Sequence, residues 1–205
     1  MGYQSCLSDP DLWMRICKSD NGLEYYEYVL LYADDCLVVS QHPKETLMWL
    51  GKYFPLNAES VAPPKLYLNG KLTKIQLPNG VLAWSISLSK YIQHALGNLE
   101  VILSKHGLKL RHEPTSPLPE NYHPKCDSTP ECGLENARLY ASLLGILRWL
   151  VELGRIDITC EVSMMSSYNA MPWEGHLDHV IYIFSSVKAH HNSRSVLDPT
   201  CPDRL

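Results

Sequence analysis

Tyr25-Tyr-Glu-Tyr-Val-Leu-Leu-Tyr-Ala-Asp-Asp-Cys-Leu-Val-Val-Ser40 places two strand-like runs on either side of two adjacent aspartates. Aromatic and branched residues dominate 25–32, and such side chains suit a pleated, half-buried surface. Cys36–Ser40 is a second apolar run of strand length. The three residues between, Ala33-Asp34-Asp35, are short enough for a hairpin turn. Neighbouring strand residues point to opposite faces, so both carboxylates approach one point only where the chain turns. Asp34 and Asp35 beside apolar strands repel each other and lose hydration. A divalent cation relieves both costs, because hard Mg²⁺ prefers carboxylate oxygens. Asp is also a common turn residue, so the pair equally suits an exposed turn without a ligand.

Working outward, Pro43 can open a helix with Leu47, Leu50 and Phe54 on its apolar side. Beyond Pro63-Pro64 come three short strand candidates, 65–68, 72–77 and 81–87. Asn69-Gly70 closes the first and Pro78-Asn79-Gly80 the second, both strong turn signals. After Ser87 the chain reads as helix and loop. Ser89 can cap a helix whose apolar side is Ile92, Ala95, Leu96, Leu99, Ile102 and Leu103, ending near Gly107. Five prolines make 113–133 a long connection. Three helices follow: one on Ala137, Tyr140, Leu144, Leu147 and Val151, one capped by Asp157 with Ile158, Val162 and Met165, and one after Pro172 with Leu177, Val180, Phe184 and Val187. The expected fold class is α+β, β-rich first and helical second.

Composition sets the outer limits. The 205 residues are 45% apolar and 20% charged, ordinary for a globular protein with a real core. No apolar run approaches the roughly 20 residues that span a bilayer, and Met1–Pro10 lacks the regions of a secretory signal. The expectation is an intracellular protein with no membrane partner. Seven scattered cysteines without a Cys-x-x-Cys pair fit that setting, including Cys36 and Cys201. His123, Cys126 and Cys132 match no familiar zinc spacing. His176-x-x-His179 puts two imidazoles on one helix face, but without the Glu of a metalloprotease helix. Lys188, His190, His191 and Arg194 suit the negative end of a helix.

Net charge is −4, so the chain as a whole is no basic nucleic-acid binder. Residues 90–111 are a local exception, with Lys90, Lys105, Lys109 and Arg111 against Glu100 alone. A solvated helix face explains that excess as simply as a binding surface does.

Several blocks together resemble one family. Tyr32-Ala33-Asp34-Asp35 between its two apolar runs is similar to the Tyr-x-Asp-Asp motif of reverse transcriptases. Ser5-Cys-Leu-Ser-Asp-Pro-Asp-Leu-Trp13 resembles the segment that copia-type retrotransposon enzymes carry just before that hairpin. Trp84-Ser-Ile-Ser-Leu-Ser-Lys-Tyr-Ile92, Tyr140-Ala-Ser-Leu-Leu-Gly-Ile-Leu-Arg-Trp149 and Arg155-Ile-Asp-Ile-x-x-x-Val-Ser163 resemble later blocks, in the family's order. Pro172-x-x-x-His176 and Lys188 continue them. Ile156 stands where many members have Pro, and Asn69 sits in a Leu-Gly-type turn.

The resemblance implies a fragment of an RNA-directed DNA polymerase. Residues 1–87 would be a partial palm, antiparallel hairpins with one helix, carrying the Tyr-Ala-Asp-Asp turn. Residues 88–112 would be a thumb-like helix, 113–133 a Pro-rich connection, 134–195 a helical thumb or connection region, and 196–205 a tail. Asp34 and Asp35 would be catalytic and hold Mg²⁺, two ions in the complete site, with Asp34 on the face of Tyr32. Tyr32 would support the primer end or the turn. Lys90, Lys105, Lys109 and Arg111 would contact phosphates of an RNA or DNA template-primer, with a deoxynucleotide as the other partner. The family's fingers and other catalytic aspartate lie upstream of these blocks, and its ribonuclease H downstream. Asp9, Asp11 and Asp20 are too near the hairpin to be that aspartate. The isolated chain is therefore expected to be inactive, in a cytoplasmic or virus-like-particle setting if the element is live. A non-catalytic remnant that grips nucleic acid weakly is the alternative.

Overall fold

The structure, a computed structural model, describes residues 1–199 except Asp20, Ala58, Ser60, His112 and Glu113. Asp20, Cys201 and the tail beyond 199 therefore lie outside the described residues. The fold is α+β, and the chain divides into two compact units, Met1–Leu68 and Asn69–Leu205. Among the described residues no helix is long and apolar enough to cross a membrane.

The first unit is an antiparallel meander. Strands β1 (Gln4–Ser5), β2 (Leu12–Lys18), β3 (Glu24–Tyr32) and β4 (Asp35–Val39) lie side by side in chain order. Helix α1 (Pro43–Leu50) packs on β4, and the two-residue strand β5 (Leu66–Tyr67) ends the unit. Pro43 opens α1 as expected, but Phe54 falls beyond the helix and is exposed. Cross-strand pairs share a face. One face therefore carries Arg15, Glu27, Val29 and Val38; the other carries Ile16, Tyr26, Leu30, Tyr32 and Val39. Glu27 and Val29 are buried, whereas Ile16 and Val39 are 60% and 50% exposed. At the middle of β3 the face of Glu27 and Val29 is the more deeply buried of the two.

The second unit holds most of the core. Strands β6 (Gly70–Gln76), β7 (Leu82–Ser87) and β8 (Arg194–Leu197) are neighbours in that order, and four helices lie between β7 and β8 in sequence. These are α2 (Ser89–Lys105), α3 (Leu134–Glu152), α4 (Thr159–Ser166) and α5 (Glu174–Ala189). Leu139, Tyr140, Leu143, Leu144, Leu147 and Leu150 recur at three- and four-residue steps along α3 and are buried. Each such leucine contributes about 2 kcal/mol when removed from water. They meet α5, which also packs on α2 and α4. Tyr140 is fully buried, and its hydroxyl donates to the Met165 carbonyl at 2.6 Å.

Two helices end in the same way. Gly107 (φ 70°) follows α2, where Gly107 N–H donates to Ser104 and Leu108 N–H to Leu103. Gly154 (φ 116°) follows α3, where Gly154 N–H donates to Val151 and Arg155 N–H to Leu150. Both are paired left-handed caps that need glycine.

Several local expectations are corrected. The left-handed turn residues near 69 are Leu68 (φ 47°) and Asn69 (φ 65°), because Gly70 already begins β6. Ser89 does not cap α2; its hydroxyl bonds the His191 ring at 2.9 Å. Asp157 does not cap α4, because its carboxylate is forked onto Arg155 at 2.8 and 2.7 Å. Ile102 faces outward on α2. Arg194 is no helix end but opens β8, which pairs with β7 from Trp84↔Leu197 to Ser87↔Arg194. The region 134–195 is thus helical only to Ala189, and the stretch read as tail from 196 contributes two strand residues.

Candidate active-site hairpin

β3 and β4 pair from Tyr28↔Val39 to Tyr32↔Asp35, leaving Ala33 and Asp34 as a two-residue turn. That is the tightest hairpin connection, and it favours left-handed backbone at its first position. Ala33 takes that conformation, φ 48°, which costs a residue with a Cβ roughly 1–2 kcal/mol. The hairpin closes nonetheless, because the ladder on both sides holds it.

Both carboxylates project from the tip into solvent. Their placement differs from the expectation in one respect. Tyr32 is paired with Asp35, so Asp35 rather than Asp34 shares the tyrosine's face, and Asp34 sits in the turn itself. Tyr67 belongs to the same neighbourhood. Burial and then the negative charges of Asp35 and Asp9 push its phenol up. The start of β2 borders this end of the sheet, where Leu31 N–H donates to the Asp11 carbonyl at 2.9 Å. Nothing in the local sequence points to Tyr67, which lies 32 residues after Asp35; only the fold brings it there.

The donor chemistry at the tip suits a hard cation, which commonly takes one or two protein carboxylates and completes its shell with water and substrate phosphates. Among the described residues no three His, Cys, Asp or Glu side chains gather closely enough to hold a metal ion by themselves. Asp34 and Asp35 are therefore part of a ligand set at most.

The basic residues fall into two groups. Lys90 stands exposed in the first turn of α2, while Lys105 ends it, about 22 Å away along the axis. Lys109 and Arg111 follow in the segment after the helix, near Lys105 in sequence. Arg111 is anchored: its N–H donates to Ser185 Oγ at 2.9 Å, and its guanidinium lies 5.4 Å from the Tyr182 ring centre. Glu100 is paired with Lys188 at 2.6 Å, which removes the one acidic charge from competition with the neighbouring cations.

The two helix histidines have structural roles. His176 is buried; its Nδ1 accepts the Trp173 N–H at 3.1 Å, and its Nε2 lies 3.1 Å from the Pro124 carbonyl, to which it donates. His179 stacks on Tyr122 with ring centres 3.4 Å apart, and burial lowers its pKa. Cys126 is exposed, whereas burial and then Glu174 push the Cys132 thiol up to about 11. Among the described residues His123, Cys126 and Cys132 do not gather into a group that could hold a metal ion.

What this corner builds is a clasp that the sequence did not reveal. Asp127, in the Pro-rich connection, accepts both the backbone N–H and the hydroxyl of Thr129 at 3.0 and 2.6 Å. Thr129 Oγ1 in turn accepts the Gly175 N–H at 2.8 Å. A Cβ on Gly175 would lie 2.7 Å from Asp127 Cγ, so this first turn of α5 needs glycine. Burial alone would raise the Asp127 carboxyl, but the two Thr129 donors outweigh it and hold it low. The Pro-rich segment is thereby fastened to the helix.

Compared with known proteins, the chain matches no protein-family model, no curated protein and no solved structure.

Proposed function

We propose that the chain is a fragment of a copia-type RNA-directed DNA polymerase, with Asp34 and Asp35 as metal-binding residues of a two-metal nucleotidyl-transfer site. The observation that carries this reading is the two-residue turn, which holds the aspartates of Tyr32-Ala-Asp-Asp35 at the exposed tip of a paired hairpin. Pairing right up to Tyr32↔Asp35 supports it, since the ladder fixes where the two aspartates stand on the hairpin. So do Ile16, Tyr26 and Val39, exposed apolar side chains on one face of this sheet, a patch suited to a partner. Further polymerase segments, fingers and palm upstream and ribonuclease H downstream, are the proposed partners. A template-primer and a deoxynucleotide are the proposed substrates.

In such a site Asp34 and Asp35 would help hold the ions, which would supply charge neutralisation at the primer 3′-hydroxyl and the leaving pyrophosphate. The share of this chain is to present the two carboxylates on a rigid hairpin, with Tyr32 beside Asp35 to support the primer end. The other catalytic carboxylate and the nucleotide-gripping surface come from elsewhere, so the isolated chain does not extend a primer.

Two measurements test this. Mn²⁺, a paramagnetic substitute for Mg²⁺, should broaden the amide signals of 32–36 selectively, and Asp34→Asn with Asp35→Asn should abolish the effect. Primer extension by the purified chain should stay at background. Broadening spread evenly over all surface acids would remove the metal site. Extension lost on Asp34→Asn would show that this chain alone completes one.

A weaker reading, nucleic-acid binding without catalysis, draws on Lys105, Lys109 and Arg111, close together in sequence at and just after the end of α2. Those cations would address phosphates and imply no base preference.

A further inference from the structure

Strand β8 is the end strand of its sheet, with β7 as its one neighbour there. Among the described residues no backbone hydrogen bond joins Arg194–Leu197 to anything but β7. Alternate N–H and C=O groups of an end strand point away from its neighbour, so β8 presents an open half-ladder. Proteins blunt such an edge with proline, lysine, a bulge or a covering segment. Arg-Ser-Val-Leu carries neither proline nor lysine, and its register with β7 is unbroken from end to end.

The side chains along β8 specify what suits the edge. Trp84 pairs with Leu197 and Ile86 with Ser195, so these four share a face, with Arg194 and Val196 on the other. Ser195 donates to the Gly154 carbonyl, which brings the α3–α4 connection over that row. The connection does not seal the corner. A cavity of about 390 Å³ has residues of both β8 and the connection in its wall, among them Ile156, which is 72% exposed. Leu197 is 61% exposed and Val196 42%. Arg194 is exposed as well, and among the described residues no carboxylate pairs with it. The edge therefore offers, in order, a cation, a small polar residue and two apolar residues.

We infer that β8 takes an added antiparallel strand from another protein, with an acidic residue opposite Arg194 and apolar residues opposite Val196 and Leu197. Backbone bonds along the edge supply the affinity, and the cross-strand side chains supply the choice. A second copy of this chain suits the edge less well, because β8 paired with itself over all four residues sets Arg194 opposite Leu197. A nucleic acid would answer Arg194 but has no ladder of alternating N–H and C=O groups. This surface is separate from the Asp34-Asp35 hairpin and does not depend on the polymerase reading.

The probe is the capped peptide acetyl-Thr-Leu-Val-Thr-Glu-Thr-amide, whose Leu, Val, Thr and Glu fall opposite Leu197, Val196, Ser195 and Arg194. Titrated into the full-length ¹⁵N-labelled chain, it should shift the amides of 194–197 saturably. Changing its Glu to Lys should weaken binding about fivefold. Arg194→Glu in the chain, an exposed change that leaves the fold intact, should weaken the original peptide by a similar factor and restore the Lys peptide. N-methylation of the peptide's Val, or of the Thr that follows it, removes one N–H each. Only one of the two should weaken binding, because alternate N–H groups face the edge. Four results would overturn the proposal. They are no saturable shift at 194–197, a Lys peptide that binds Arg194→Glu no better than the parent chain, two N-methylated peptides that behave alike, and shifts of the same amides with chain concentration in the absence of peptide, the mark of a second copy on this edge.

Discussion

Replacing Glu27 by Gln tests how the first sheet is held together. Glu27 is 1% exposed on the more deeply buried face of β3. Its Oε2 accepts from Arg15 Nε and Nη2 at 2.9 and 2.6 Å and from the Tyr3 hydroxyl at 3.1 Å. Its Oε1 accepts from Ser40 at 2.6 Å and Tyr25 at 3.2 Å. One carboxylate thus ties the segment before β1 to β2, β3 and the residue after β4. Burial alone would raise this carboxyl, but the donors, Ser40 and Arg15 foremost, outweigh it and lower the pKa to about 2. An open chain titrates near 4.3, so the charged form contributes roughly 3 kcal/mol to the fold. Because the folded value is the lower one, that contribution is complete above about pH 5 and fades as the pH falls toward 2. Glu27→Gln should therefore cost roughly 3 kcal/mol at neutral pH and progressively less in acid. Amide exchange of residues 26–30 in the full chain, corrected for intrinsic rates, reads this locally. A difference between parent and variant that stays constant from neutral to acid pH would refute the reasoning. So would a parent that gains protection on acidification.

Gly175→Ala should cost about 3 kcal/mol in urea unfolding, because the new methyl collides with Asp127. In an Asp127→Ala background the same change should be nearly neutral, and an additive double variant would show that the contact does not matter. Ala33→Gly should stabilise the hairpin by about 0.5–1 kcal/mol by relieving its positive φ, read as slower exchange across β3 and β4. On an RNA–DNA hybrid, the log of any measured affinity should fall with log salt at a slope of roughly −3, flattened by replacing Lys105, Lys109 and Arg111 with Ala and untouched by Asp34→Asn. A salt-independent affinity would place binding elsewhere.

Much of the secondary structure was legible from 25–40, 70–105 and 134–187, where each segment's own pattern agrees with its final state. The period of apolar residues decided strand or helix, and Gly107, Asn69 and Pro43 marked ends because their backbone preferences are local. The Asp34-Asp35 tip was legible for the same reason, since a turn between two strand runs spans only neighbours. Registers and long-range partners were not. Whether the turn held two residues or three decided that Asp35 rather than Asp34 stands beside Tyr32, and ladder pairing along β3 and β4 settles that count. Ser89 and Asp157 looked like caps by sequence, but His191 and Arg155 offered their side chains better partners. Arg-Ser-Val-Leu at 194–197 is too short to announce a strand; β7 makes it one, about a hundred residues after β7 in the chain. The buried Glu27 network and the Asp127–Gly175 clasp are tertiary in the same sense. Each depends on a charged or small residue meeting groups from distant segments, and burial, which sequence periodicity reports only for apolar side chains, gives those meetings their energy.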